Sequence, residues 1–212
     1  MGERLARTLR ATLAKGALAV YRTRFIDAER VPEGGAILAG NHVSYLDPVL
    51  LWCGAPRPTR FMAKSELWDV PVVGWALPKL LAFPVRRGSA DRAAISTATD
   101  LLGEGHLVGI FPEGTRQRDG SDDSLGEANE GVAFIAMRAG VPVVPVGIAG
   151  TDRAMPPGAR LPRFPRVTVV YGEPVHPEEF AEGSRKERLE ALTAEIMRRI
   201  ADARTRAREV RR

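Results

Sequence analysis

The stretch AILAGNHVSYLDP, residues 36–48, determines both the fold and the chemistry predicted for this chain. Its first four residues are apolar and follow a Glu-Gly-Gly turn signal, so they predict a buried strand. That strand brings His42 to its carboxyl end, where open α/β sheets place their functional residues. Asp47 follows His42 by five positions. A histidine near such a carboxylate indicates a base with an orienting partner.

The same residues also fit a purely structural role. Ser44 followed three positions later by Asp47 is typical of a helix start. In that arrangement the aspartate lies in the first helical turn, where the helix dipole favours negative charge. Local spacing does not separate a catalytic pair from a capped helix, and it allows Asp47 to be both.

Length and composition indicate one globular domain. The chain has 212 residues, of which 44% are hydrophobic and 27% charged, enough for a substantial core. Cys53 is the only cysteine, which excludes a disulfide framework and a cysteine-based zinc cluster. We therefore expect a cytosolic or cytosol-facing protein.

The net charge of +5 resides in the two ends of the chain. Residues 1–24 carry six Lys or Arg against one Glu, and residues 184–212 carry ten against five acidic residues. Basic ends of this kind suit an anionic membrane surface, nucleic acid or solubility. Nucleic acid is not the expected partner, because aromatic residues make up 6% of the chain and no RNA-binding or zinc-finger signature is present.

No stretch of the sequence predicts a membrane-spanning helix. The most apolar stretch, residues 70–85, is shorter than the roughly 20 residues that a span requires. The N-terminal segment instead predicts an amphipathic helix, with one apolar stripe formed by Leu5, Leu9, Leu13, Ala17 and Val20. This helix either lies in a lipid interface or packs on its own domain. The proline-rich stretch 68–81, which contains Trp75, is open to the same two interpretations.

Strand-like and helical patterns alternate along the chain, which predicts an α/β fold. The expected architecture is a single domain with a mostly parallel central sheet flanked by helices. Residues 1–24 form the basic N-terminal helix, 25–183 the main domain and 184–212 a C-terminal helix that packs on it. Strands are predicted at 21–26, 36–39, 59–63, 81–85, 107–111, 141–148 and 166–171. Helices are predicted at 47–52, from Ser89 to 102, at 131–138, and from a capping box at 184–187 onward.

Two further clusters follow predicted strands, FPVRRG at 83–88 and FPEGTR at 111–116. Taken separately they fit an arginine pair in solvent and a type I turn. In a parallel sheet, however, both lie at the same edge as His42, and arginine forks bind phosphate bidentately. The chain lacks P-loop, dinucleotide-binding and nucleophile-elbow motifs. We therefore expect a substrate with a phosphate and a hydroxyl that His42 activates.

These residues resemble the motifs of the 1-acyl-glycerol-3-phosphate acyltransferase family of glycerolipid enzymes. The family motif N-H-x-x-x-x-D matches Asn41 to Asp47, and F-P-E-G-T-R is complete at 111–116. The arginine-bearing strand end at 83–87 and the proline-containing strand at 141–146 are similar to its remaining two motifs. The resemblance covers about residues 20 to 175.

The resemblance implies roles for particular residues. His42 would deprotonate the acceptor hydroxyl for attack on an acyl thioester, and Asp47 would orient the imidazole. Lys64 is expected to bind an anionic group of the substrate. The other expected substrate-binding residues are Asn41, Arg87, Glu113, Gly114, Thr115 and Arg116. No metal and no cofactor are implied beyond the acyl donor, either acyl-CoA or acyl carrier protein.

The function implied is transfer of a fatty acyl group to the free hydroxyl of 1-acyl-glycerol-3-phosphate, which yields phosphatidic acid for phospholipid biosynthesis. The expected location is cytoplasmic, peripheral on the anionic inner face of the cell membrane. Alternatives are an acyltransferase for another lysophospholipid or polar lipid, and an inactive lipid-binding protein at the membrane surface. A hydrolase that uses His42 to activate water would cleave the thioester without an acceptor.

Overall fold

The buried run predicted at residues 36–39 is the centre of the sheet. In this computed structural model, which describes residues 3–86, 91–113, 129–154 and 163–211, the run forms a strand at Ala36–Gly40 whose five residues are all buried. Strands that are covered on both faces read as continuous apolar runs. The absence of alternation in this stretch is therefore explained by helices on both sides of the sheet.

The described ranges contain seven strands and six α-helices in one α/β arrangement. The strands are β1 Arg24–Ile26, β2 Ala36–Gly40, β3 Thr59–Lys64, β4 Ala82–Val85, β5 Leu107–Ile110, β6 Val143–Ala149 and β7 Thr168–Tyr171. The helices are α1 Glu3–Tyr21, α2 Asp47–Gly54, α3 Pro71–Ala76, α4 Arg92–Gly103, α5 Gly131–Ala139 and α6 Arg185–Arg211. Short 3-10 turns occur at Ala28–Arg30, Ser65–Asp69, Leu77–Leu80, Thr151–Arg153 and Pro177–Phe180.

The strand order is β1-β7-β6-β2-β5-β3-β4. The strands from β6 to β4 in this order are all parallel, whereas β7 pairs antiparallel with β6, and β1 pairs parallel with β7. The predicted fold class, a mostly parallel sheet flanked by helices, is confirmed. The carboxyl ends of β2, β3, β4, β5 and β6 consequently share one edge, here called the carboxyl edge.

Two groups of helices cover opposite faces of the sheet. The connections β2 to β3 and β3 to β4 step in one direction along the sheet, and β4 to β5 and β5 to β6 step in the other. Right-handed crossovers therefore place α2 and the segment 65–80 on one face and α4 and α5 on the other. Successive β2 residues alternate between the two cores: Leu38 packs with α2, and Ile37 packs with α4, α5 and α6.

The N-terminal helix packs on its own domain along a narrow face. Ala17 of α1 is buried in the core beside α2, and Ala14 and Tyr21 contact the same cluster. The Arg10 guanidinium donates hydrogen bonds to the Ala55 and Pro56 carbonyls after α2. No helix of the described residues is long and apolar enough to cross a membrane.

Several predicted boundaries differ from the structure. The first strand begins at Arg24 rather than residue 21, because α1 continues through Tyr21 and the Thr23 hydroxyl then donates to the Ala17 carbonyl. The prediction that Ser89 caps a helix falls outside the described residues. The helix α4 begins after Asp91, whose carboxylate accepts from the Ala94 N–H at 3.1 Å.

The predicted capping box at the start of the last helix is confirmed. The Ser184 N–H donates to Glu187 Oε2 at 2.7 Å, and the Glu187 N–H donates to Ser184 Oγ at 3.3 Å. On its inner face Leu192, Ile196 and Ile200 are buried, and Leu189 packs at the margin of the core. This helix crosses β6 so closely that a Cβ on Gly147 would lie 2.1 Å from the Ala203 carbonyl carbon.

We predict that Gly147→Ala destabilises the protein by about 1–3 kcal/mol, because its methyl group would meet helix backbone that must move away. Denaturant unfolding followed by circular dichroism measures this change. Gly103→Ala, at the end of α4, is the matched control, since an added Cβ there meets nothing within 4 Å. Equal unfolding free energies for the two variants would show that α6 does not press on β6 at this point.

Candidate active site

His42 and Glu113 come together because β2 and β5 are adjacent. Ala39 of β2 is in register with Ile110 of β5, and each of the two functional residues lies three positions beyond this pair. The His42 backbone N–H donates to Glu113 Oε1 at 3.3 Å. The carboxylate of Glu113 is buried. The structure therefore brings the two sequence motifs into direct contact at the carboxyl edge.

Asp47 joins His42 through a buried carboxylate. Its Oδ2 lies 3.0 Å from His42 Nδ1 and also accepts the Val43 N–H at 2.7 Å and the Ser44 N–H at 2.6 Å. The residue is 0% exposed. Two backbone donors hold this oxygen at the ring nitrogen, so it is the acceptor and Nδ1 carries the hydrogen. The lone pair of the neutral imidazole is then on Nε2.

The helix interpretation of this stretch is confirmed for Asp47 and in part for Ser44. Asp47 is the first residue of α2, where the helix dipole favours its charge. The Ser44 N–H donates to Asp47 Oδ2 at 2.6 Å and the Ser44 hydroxyl accepts from the Leu46 N–H at 3.3 Å, as in a capping box, but these bonds close the turn before α2, which itself begins at Asp47. One carboxylate therefore stabilises the turn, starts the helix and contacts the histidine.

Stacked aromatic rings support the imidazole from one side. The Phe111 ring lies 4.4 Å from the His42 ring, centroid to centroid, at an interplanar angle of 25°. Phe61 of β3 lies 6.4 Å beyond Phe111. A Cβ on Gly109 would come within 2.3 Å of the Phe61 ring, so this strand position accommodates the ring by lacking a side chain. No pattern in the sequence indicated a role for these rings, although Phe111 opens the FPEGTR motif.

Asn41 fixes the point at which the chain leaves the sheet. Its Nδ2 donates to the Ile148 carbonyl at 3.0 Å, and its Oδ1 accepts the Ile148 N–H at 2.8 Å. The backbone pairing of β2 with β6 ends one residue earlier, at Gly40 and Val146. The carboxamide thus continues the ladder by a side chain. Asn41 was predicted to bind substrate; in this structure it is 1% exposed, and its amide binds strand β6.

The cationic residues predicted to bind substrate lie further along the same edge or outside the described residues. Lys64 ends β3, and its Nζ is 3.0 Å from Glu66 Oε1. Arg87, Gly114, Thr115 and Arg116 fall outside the described residues. Arg86, which follows β4, donates its N–H to Asp91 Oδ2 at 2.8 Å. Hydrogen bonds from the Arg86 and Ala94 N–H groups lower the pKa of the Asp91 carboxyl.

Two other observations limit the chemistry open to the described residues. Burial raises the pKa of the Cys53 thiol in α2 to about 11, so the thiol is protonated at neutral pH and is not a nucleophile. Within the described ranges, no three side chains of His, Cys, Asp or Glu gather as they would around a metal ion. The groups that the described residues bring together are a base and its carboxylate, with Glu113 behind them.

We predict that Asn41→Ala lowers the free energy of unfolding by about 1–3 kcal/mol, because it leaves the buried N–H and C=O of Ile148 without partners. Equilibrium denaturation measures the change. Asn129→Ala is the matched control: its Oδ1 accepts the Gly131 N–H at 2.9 Å, but the residue is exposed, and the expected loss is below about 1 kcal/mol. If Asn41→Ala unfolded at the same denaturant concentration as the wild type, the role of Asn41 in the strand ladder would be contradicted.

The chain is similar to known acyltransferases, in agreement with the geometry of the site. The family described as Acyltransferase matches residues 22–149. A 1-acyl-sn-glycerol-3-phosphate acyltransferase of Bacillus subtilis is 33% identical over 189 residues, which cover 89% of this chain and 88% of the relative. A lyso-ornithine lipid O-acyltransferase of Pseudomonas aeruginosa is 35% identical over 56% of this chain and 44% of its own length.

A solved structure shares the fold. The crystal structure of the 1-acyl-sn-glycerophosphate acyltransferase PlsC from Thermotoga maritima superposes with a TM-score of 0.70 at 27% identity, and the match covers 92% of this chain and 78% of that one. The family inferred from the two sequence motifs is therefore confirmed: the chain belongs to the 1-acyl-sn-glycerol-3-phosphate acyltransferase family.

Proposed function

We propose that the protein transfers a fatty acyl group from an acyl thioester to the free hydroxyl of 1-acyl-glycerol-3-phosphate, which yields phosphatidic acid in phospholipid biosynthesis. The observation that carries the proposal is the buried Asp47 carboxylate on Nδ1 of His42, at the carboxyl edge of an acyltransferase sheet. The activities of the relatives from Bacillus subtilis and Thermotoga maritima support this choice of acceptor.

The reaction follows from the state of the imidazole. Nε2 of His42 accepts the proton of the acceptor hydroxyl while the oxygen attacks the thioester carbonyl carbon. The Asp47 carboxylate, 3.0 Å from Nδ1, stabilises the imidazolium that forms. As the tetrahedral intermediate collapses, the C–S bond breaks and the imidazolium returns the proton to the thiolate. An ester and a free thiol are formed, with no acyl group on the enzyme and no change of oxidation state.

Glu113 serves this reaction by holding His42 in place. Its carboxylate accepts the His42 N–H at 3.3 Å, which orients the backbone that bears the base. Its proposed contact with substrate, like those of Lys64, Arg87, Gly114, Thr115 and Arg116, rests on the family resemblance. In this proposal the guanidinium groups bind the phosphate of the acceptor, because their forks match phosphate oxygens. The donor is acyl-CoA or acyl carrier protein, and no metal or further cofactor takes part.

A second acceptor class is favoured by one comparison. The relative from Pseudomonas aeruginosa is named for a lyso-ornithine lipid, a polar lipid without a glycerol phosphate. A His–Asp base does not itself discriminate between such acceptors, since both offer a hydroxyl. Selection between the two acceptors therefore depends on the groups that contact the polar head of the lipid.

We further propose that the protein works in the cytoplasm, bound peripherally to the inner face of the cell membrane. Both lysolipid acceptor and product belong to a bilayer. The outer flanks of α1 expose Leu13, Leu18 and Val20, and residues 1–24 carry a net charge of +5. A helix with exposed apolar residues and excess cations binds anionic lipid surfaces.

We predict that His42→Ala lowers kcat by about 10²- to 10⁴-fold, because the hydroxyl loses its base. An assay with acyl thioester and 1-acyl-glycerol-3-phosphate measures the loss, and the KM for the acceptor should change little. His176→Ala is the control, since this exposed imidazole pairs with Glu178 at 3.3 Å outside the site and its loss should leave kcat unaltered. Full activity of His42→Ala would overturn the mechanism.

A panel of lysolipids tests the acceptor. With 1-acyl-glycerol-3-phosphate we expect one ester to form for each thioester consumed, and without acceptor we expect almost no thioester loss. Mass spectrometry of products and titration of free thiol measure the two quantities. Thioester loss in the absence of acceptor would identify a hydrolase, and ester formation only with lyso-ornithine lipid would assign the second acceptor class. No thioester loss under any condition would identify a lipid-binding protein without activity.

A further inference from the structure

Among the residues that the structure describes, none of the exposed large apolar side chains lies on α4, α5 or α6. In the described part of the chain they lie on α1, in the turn before α2, on α3 and its cap, and at Phe164, whose ring contacts Tyr21 of α1. They are Leu13, Leu18, Val20, Tyr45, Val70, Val72, Val73, Trp75 and Phe164. One face of the sheet and its carboxyl edge thus carry the exposed apolar surface of the described residues.

The densest part of this surface is the segment here called the apolar knuckle, Val70 with α3. Val72 is 77% exposed and Trp75 is 68% exposed. Neither α3 nor the turns Ser65–Asp69 and Leu77–Leu80 beside it contain a buried residue. Packing against the core of its own domain therefore stabilises the knuckle little. Exposed apolar groups concentrated in this way indicate a contact surface.

The chemistry of the knuckle suits a lipid bilayer. The Lys79 ammonium lies over the Trp75 ring, 2.9 Å from the centroid. Tryptophan favours the level of lipid headgroups, where its ring is in apolar surroundings and its N–H in polar ones. A lysine beside it can reach the phosphates while its carbon chain stays on apolar surface. On α1 the exposed Lys15 lies about one helical turn before the exposed Leu18, so both places carry a cation on the helix face near exposed apolar residues.

Along the chain, the knuckle also follows soon after a strand that ends at the carboxyl edge. The strand β3 ends at Lys64 on the carboxyl edge, and the segment 65–76 continues directly from it. Tyr45, which is 74% exposed, stands three residues after His42 at the same edge. A bilayer that meets the knuckle and α1 would therefore lie beside the edge at which His42 is exposed to substrate.

We propose that the apolar knuckle inserts into the membrane interface as a second docking point in addition to α1, so that a lysolipid reaches His42 without leaving the bilayer. The inference deepens the proposed function, since it rests on a membrane lipid as acceptor. Its occupant is the bilayer itself, recognised by aliphatic and indole groups below the headgroups and by Lys79 at the phosphates.

The test compares Val72→Ser/Trp75→Ser with the conservative variant Val72→Leu/Trp75→Phe. Vesicles of phosphatidylcholine with phosphatidylglycerol are sedimented with each protein, and the bound fraction is measured. We expect the serine variant to bind about tenfold more weakly and the conservative variant to bind like wild type. Because these side chains are exposed, unfolding curves should coincide. Equal vesicle binding by the serine variant and wild type would overturn the proposal.

Activity on a short-chain, water-soluble lysolipid without vesicles separates docking from catalysis. We expect the serine variant to keep wild-type kcat on this acceptor and to lose activity on lysolipid embedded in vesicles. If wild type itself fails on both acceptors, the proposed function fails, while sedimentation still tests the knuckle. Quenching of tryptophan fluorescence by brominated lipid in wild type, lost in Trp75→Phe, would place Trp75 in the interface. Quenching that persists unchanged in Trp75→Phe would contradict its insertion.

Discussion

A buried carboxylate needs hydrogen-bond donors, and the way in which Asp47 obtains them organises the site. Its Oδ2 takes two backbone N–H groups and the His42 ring, so the chain must fold back between the end of β2 and the start of α2. Leaving such a charge unpaired costs several kcal/mol. The turn therefore has one favourable geometry, and in that geometry the imidazole presents Nε2 to substrate.

The neighbouring strands hold this turn from both sides. On the side of β6, the Asn41 carboxamide replaces a backbone pair and releases the chain from the sheet. On the side of β5, Glu113 accepts the His42 N–H and Phe111 lies against the ring. The base is thus supported from two neighbouring strands, β5 and β6, that are packed into the core. Preorganisation of this kind reduces the entropy that a reacting group must lose.

Much of the fold and part of the site could be predicted from the sequence. The run at residues 36–39, the capping box at Ser184 and the spacing of His42 and Asp47 are local patterns, and local physics is sufficient to interpret them. The role of Asn41 in the ladder could not be predicted, because its partner Ile148 is more than a hundred residues away. The aromatic support could not be predicted for the same reason: Phe61 lies in β3 and Phe111 directly follows β5, and these two strands become neighbours only in the sheet.

The sequence by itself determined the α/β class, the basic ends and the family, because apolar runs, charge counts and two motifs are properties of the chain alone. The tertiary structure decided the rest. It decided that Asp47 is both a helix residue and a partner of His42, that Glu113 holds the backbone of the base, and that α1 packs on the domain with apolar flanks exposed. These outcomes depend on strand order and register, which bring together residues that no local pattern connects.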